Sequence, residues 1–226
     1  MAKLERVVAD HDIVLLDAMG VLINKRGPIA DAPRFIDHLN DVGKPYFILT
    51  NISSDTEVGV YERLRRNRIG LRSPSSVISA GALVCDYLMR QVPPGASVGF
   101  IGPAVCASVL DRCGHDVVAC DQDFDTLAIL DDEGFAFREN LEAALTGCVR
   151  AFQKTGKLPP LLLGNSDCAY PAHSGGFAFG SGIFATMLKD ALGKLLGVTP
   201  EVISFGKPSP KMFNEARRHR IDDDDW

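Results

Sequence analysis

The stretch Ile13-Val14-Leu15-Leu16-Asp17-Ala18-Met19-Gly20-Val21 decides how this chain of 226 residues folds. Four apolar residues in a row read as a buried strand, so the carboxylate that follows them stands at the strand's C-terminal end. In an open α/β sheet those ends border the crevice where ligands bind, and Asp17 there reads as a functional group. Gly20 lets the chain turn away with no side chain in the path. Taken alone, Asp17 reads equally well as the cap of the next turn.

Two further segments have the same form. Tyr46-Phe47-Ile48-Leu49-Thr50-Asn51 is an apolar run that ends in small polar groups, and Val202-Ile203-Ser204-Phe205-Gly206-Lys207-Pro208 delivers a lysine into a Gly/Pro turn. A carboxylate, a hydroxyl beside backbone amides, and a lysine, each at a strand end, compose a phosphoryl-transfer site. Such chemistry asks for positioning and charge neutralisation more than for elaborate covalent machinery. Read as structure alone, Thr50-Asn51 is a strand-ending turn, Lys207 an exposed turn lysine, and Asn165 with Asp167 an Asx-type turn.

Working outward, strand-like and helical patterns alternate, which is the signature of a parallel sheet in the α/β class. Residues 12–17 read as a strand, 31–43 as a helix ending near Gly43, 45–50 as a strand and 55–68 as a helix stopped by Gly70. On that last helix Val58, Tyr61 and Leu64 mark the buried face and leave Arg63, Arg65, Arg66 and Arg68 outward. A second alternation follows, with strands at 97–101, 126–130 and 161–163 and helices at 103–113 and 139–154. The expected organisation is a core formed by residues 1–77 and 186–226, with a second α/β domain inserted at 78–185.

The formal net charge of −5 argues against a nucleic-acid partner held by a basic surface. Apolar runs of four to six residues are too short to cross a membrane, and no secretion signal opens the chain, so the expected location is the cytoplasm. The six cysteines, Cys85, Cys106, Cys113, Cys120, Cys148 and Cys168, include no C-x-x-C pair and read as reduced apolar residues. His173, beside Ser174-Gly175-Gly176, reads as a surface loop residue, and the other histidines show no ligand-like spacing.

The chain resembles the haloacid dehalogenase (HAD) superfamily, and within it the class IIA, NagD-like or nitrophenylphosphatase-like hydrolases. The residues that carry the likeness are Asp17 to Leu22, Leu49-Thr50-Asn51 with Ser53 and Ser54, and Gly206-Lys207-Pro208-Ser209-Pro210. Asn165-Ser166-Asp167, Tyr170-Pro171 and Gly180-Ser181-Gly182 add to it. The resemblance implies a Rossmann-like core with an inserted α/β cap that selects the substrate. It also implies hydrolysis of a small phosphate ester through an aspartyl-phosphate on Asp17, and a homodimer made through the cap. Mg²⁺ would be held by the Asp17 carboxylate and the Met19 backbone carbonyl. Thr50 and the Asn51 amide would hold phosphate oxygens, Lys207 would neutralise charge, and Asn165 and Asp167 would contact the substrate.

Two positions depart from the family's pattern. Its phosphatases carry a second Asp two residues after the nucleophile, where this chain has Met19, and a thioether cannot perform acid/base catalysis worth roughly 10²–10⁴-fold. The fourth, metal-binding motif is absent after Lys207. The expectation is therefore that C-terminal core strands are missing, that the Asp17 strand has an open edge, and that the sequence is truncated. Asp222 to Asp225 then read as a solvated acidic tail. Three functional readings stand at this point: a Mg²⁺-dependent phosphatase, a weakly active or non-catalytic protein that binds a phosphorylated metabolite, and a dehalogenase.

Overall fold

In the computed structural model, which describes residues 2–24, 26–172 and 175–223, the chain separates into two compact units. The first comprises Met1–Thr50, Thr56–Ser79 and Met212–Trp226, and the second Asn51–Asp55 and Ala80–Lys211.

In the first unit, helix α1 (Ala2–Ala9) precedes strand β1 (Val14–Asp17), and a short antiparallel pair, β2 (Ile23–Asn24) and β3 (Gly27–Pro28), leads to helix α2 (Ala32–Asp41). Strand β4 (Tyr46–Thr50), helix α3 (Glu57–Arg66) and strand β5 (Val77–Ser79) follow. The sheet is parallel, in the order β1-β4-β5. All five residues of β4 are buried, as a strand flanked on both sides requires, whereas β1 lies at the edge and exposes 39% of Leu15. Among the described residues β1 pairs with β4 alone, and it is only partly buried rather than a core strand. A groove of about 460 Å³ runs along it, lined by Leu4, Val7, Leu15, Val21 and Phe35 among others.

On α3 the buried side chains are Val60 and Leu64, four residues apart, while Val58 is exposed. The arginines at 63, 65, 66 and 68 are outward, as expected. Asn67 caps this helix and Arg68 takes the left-handed turn after it, two residues before Gly70.

The second unit opens with helix α4 (Ala80–Gln91) and continues through β6 (Ser97–Ile101), α5 (Val105–Leu110), β7 (Asp116–Val118), β8 (Thr126–Ile129), α6 (Phe137–Thr155) and β9 (Leu161–Leu163). A hairpin of β10 (Ala169–Pro171) and β11 (Phe177–Phe179), helix α7 (Gly182–Leu196) and strand β12 (Val202–Ser204) complete it. Its five-stranded sheet has the order β12-β9-β8-β6-β7, with every pairing parallel. Leu127, Ile129, Leu161 and Cys148 form a core with Phe184, Leu188 and Leu192 of α7. That packing moves the division expected at residue 185. Because α7 buries its apolar face here and β12 pairs with β9, the second unit extends to Lys211.

Helix α8 (Pro210–Asp223) includes the first two residues of the expected acidic tail, whereas Asp224, Asp225 and His173 lie outside the described residues. No helix among the described residues is long and apolar enough to cross a membrane.

Ile48 is fully buried in β4 between β1 and β5. Ile48→Ala therefore lowers unfolding stability by about 2–5 kcal/mol, read as a lower urea midpoint at unchanged slope.

Candidate active site

The parallel register sets Asp17 beside Leu49, one residue before Thr50, so the carboxylate and the hydroxyl leave the same end of the sheet. Asp17 Oδ1 accepts a hydrogen bond from the Ala18 amide at 2.8 Å. The chain then folds back at once. The Ala18 carbonyl accepts from both the Leu22 and Ile23 amides, and the Gly20 amide donates to the Ile23 carbonyl at 2.8 Å. Gly20 has φ +83°, a conformation in which a Cβ is strained. This tight turn holds Met19 directly after the strand end, where a backbone carbonyl and a carboxylate are close neighbours in sequence. Thr50, at 1% exposure, pairs across the sheet with Ser79. Asp17, Met19 and Thr50 are thus held by one unit.

In the second unit the remaining candidates meet around the side chain of Asn51. Its Oδ1 accepts from the Lys207 amide at 2.6 Å, and its Nδ2 donates to the Lys207 carbonyl at 3.1 Å. One carboxamide thereby pairs with both backbone groups of Lys207, as a neighbouring strand would. Nδ2 also donates to Asn165 Oδ1 at 3.1 Å, and the same oxygen receives the Asp167 amide. The Asx-type turn read as one alternative for Asn165 and Asp167 is therefore the conformation observed. Asn165 uses its acceptor within this network, and Asp167 is exposed.

Three serines complete the arrangement. Ser166 Oγ donates to the Lys207 carbonyl at 3.2 Å, and Ser181 Oγ, fully buried, donates to the Asn165 carbonyl at 3.1 Å. Ser53 Oγ donates to the Leu130 carbonyl at 2.5 Å, tying the loop after β4 to the end of β8. All three stand in the family-like stretches of the sequence, where nothing in a lone serine marks a backbone partner. Gly206 is needed for closeness rather than flexibility. A Cβ there would lie 2.4 Å from the Gly164 carbonyl oxygen and 2.9 Å from Asn51 Oδ1.

Tyr170 is anchored as well, its hydroxyl lying 2.7 Å from an Asp132 oxygen and 3.0 Å from a Glu133 oxygen, which share its one proton. Burial pushes the Asp132 carboxyl above the usual carboxylate range, with the Tyr170 hydrogen bond opposing the shift.

A family model described as haloacid dehalogenase-like hydrolase matches residues 14–116. An acid sugar phosphatase of Staphylococcus aureus (strain MRSA252) is 31% identical over 202 residues, covering 89% of this chain and 71% of that protein. The crystal structure of a possible sugar phosphatase from Cytophaga hutchinsonii superposes with a TM-score of 0.81 at 24% identity, over 97% of this chain and 75% of that one. A p-nitrophenyl phosphatase from Archaeoglobus fulgidus gives a TM-score of 0.73 at 24% identity, covering 92% of this chain and 73% of its own. A glycerol phosphate phosphatase from Mycobacterium tuberculosis, in complex with magnesium, gives a TM-score of 0.73 at 22% identity, over 95% and 60% of the two chains. The chain belongs to the haloacid dehalogenase-like hydrolases.

Removing the Asn51 carboxamide takes away one acceptor of the Lys207 amide and one of the two donors to the Lys207 carbonyl, which keeps Ser166. Asn51→Ala lowers stability by about 1–3 kcal/mol in chemical denaturation. Gly206→Ala is at least as damaging, because backbone must shift to admit the methyl group. A Gly206→Ala protein as stable as the parent contradicts this packing.

Proposed function

We propose that the protein is a phosphatase that hydrolyses a small phosphate ester through a covalent phosphoryl intermediate on Asp17. The observation that carries the reading is the parallel pairing of β1 with β4, which puts the Asp17 carboxylate and Thr50 at the same end of one sheet. Similarity to proteins named as sugar, nitrophenyl and glycerol phosphate phosphatases supports it.

In this reading Asp17 attacks phosphorus, the ester oxygen leaves with the alcohol, and water then hydrolyses the aspartyl-phosphate. Thr50 and the Asn51 amide hold phosphate oxygens. Lys207, fixed through its backbone by Asn51, neutralises charge on the transferring group. Asn165 and Asp167 act with the surrounding loop in fitting the phosphorylated metabolite.

A divalent cation suits the donors present. Asp17 and the Met19 carbonyl are hard oxygen donors two residues apart, and no group of three or more His, Cys, Asp or Glu side chains among the described residues makes an all-protein cage. Mg²⁺ is commonly held by one or two carboxylates, waters and substrate phosphate, so it is the ion proposed. When bound, it supplies charge screening between the carboxylate and an anionic ester. We place the activity in the cytoplasm and extend the proposal to a homodimer.

Met19 shapes the substrate range. With no carboxylic acid two residues after the nucleophile, protonation of the leaving oxygen is weak, so esters of acidic alcohols such as nitrophenol react faster than alkyl phosphates. Met19→Asp raises turnover of alkyl phosphates by about 10²-fold or more and of p-nitrophenyl phosphate by much less.

The direct test is phosphate release from a panel of small esters with and without Mg²⁺. Turnover needs Mg²⁺, vanishes in Asp17→Asn and falls about 10²–10³-fold in Lys207→Ala. Saturable binding of phosphate esters with no turnover would instead establish the binding-protein reading that Met19 favours. Halide release independent of Mg²⁺ would establish the dehalogenase reading.

A further inference from the structure

The fold brings together two cysteines that lie far apart in the chain. Cys85 on α4 and Cys113, in the 3-10 turn that follows α5, both direct their sulfur at the Val109 carbonyl oxygen, at 3.0 Å and 3.8 Å. The helix and the turn pack against each other within the second unit. Both thiols are buried, at 8% and 5% exposure, and neither is in a disulfide.

Their chemistry differs from that of the other buried cysteines. Burial pushes the Cys106, Cys120 and Cys148 thiols up to about 12, which leaves them as inert neutral thiols at neutral pH. Cys113 moves the other way. A hydrogen bond from Cys85 is the largest cause, and the charge of Arg112 adds to it against the effect of burial. The thiolate is the nucleophilic form, so Cys113 is the member of the pair suited to react first, with Cys85 beside it as the second thiol.

We infer that Cys85 and Cys113 form a reversible redox pair, closed to an intramolecular disulfide by a hydroperoxide and reopened by a thiol reductant. The Cys113 thiolate attacks the peroxide oxygen, breaking the O–O bond and giving a sulfenic acid and, for hydrogen peroxide, water. The Cys85 sulfur then attacks the Cys113 sulfur, expelling the sulfenic oxygen as a second water and forming the S–S bond. Two thiols lose two hydrogens and two electrons in total, and the peroxide accepts them. The product joins α4 to the turn after α5 and involves neither Asp17 nor Lys207.

The test treats the whole chain with hydrogen peroxide, blocks remaining thiols with an alkylating reagent under denaturing conditions, and maps the digested peptides by mass without reduction. Cleavage at Asp116 separates Cys113 from Cys120. The expected result is a Cys85–Cys113 linked peptide that disappears on dithiothreitol treatment, with Cys106, Cys120 and Cys148 alkylated as free thiols. In Cys113→Ser the linked peptide is lost and Cys85 is recovered alkylated. Recovery of Cys85 and Cys113 as free thiols under conditions that oxidise the exposed Cys168 would overturn the inference, as would a linkage to any other cysteine in the parent protein.

Discussion

The parallel pairing of β1 with β4 is the constraint on which the reading of this protein rests. Two strands that run the same way end at the same side of their sheet, so the register that sets Asp17 against Leu49 also sets Thr50 one step beyond it. A shift of one residue would reverse which side chains face the core and would move Asp17 away from the level of Leu49. All five side chains of β4 are buried, so a shift would set each against neighbours that it is not shaped to pack with. The position of the proposed nucleophile is therefore secured by hydrophobic burial several residues away from it.

The second unit solves a different problem. Lys207 follows a strand and lies in a turn, where its own amide and carbonyl have no neighbouring strand to pair with. The Asn51 side chain supplies that pairing, and Asn165, Ser166 and Ser181 link it to the backbone around it. A buried polar network of this kind specifies one arrangement when all its members are satisfied and is costly when one is removed. It also separates two roles that the sequence runs together: the Asn51 carboxamide fixes the lysine segment, while its backbone amide remains the group proposed to meet phosphate.

What could be read from the sequence follows from how local each signal is. The run Tyr46–Thr50 announces itself because a strand with neighbours on both sides is apolar throughout, and the position of Asp17 after a similar run follows from chain order alone. Val58 and Val60 offer competing stripes on α3, and only packing shows that Val60 and Leu64 face inward. Strand β7 is three residues long and α1 is rich in charge, so neither produces a pattern strong enough to notice. The extent of the second unit depends on α7 packing against β9 and on β12 pairing with it, contacts between distant segments that hydropathy does not encode. The same holds for Cys85 and Cys113, whose spacing carries no motif, and for the serines, whose buried carbonyl partners lie up to 77 residues away.

The central claim, that the carboxylate at the end of β1 is the group phosphorylated during turnover, has a direct chemical test. Borohydride reduces an aspartyl-phosphate to homoserine and leaves a free aspartate unchanged, so the protein can be quenched into borohydride during steady-state hydrolysis of p-nitrophenyl phosphate and its peptides sequenced by mass. The account predicts homoserine at position 17, formed only when substrate and Mg²⁺ are both present. Continued phosphate release with Asp17 recovered unmodified, or homoserine at another aspartate, would contradict it.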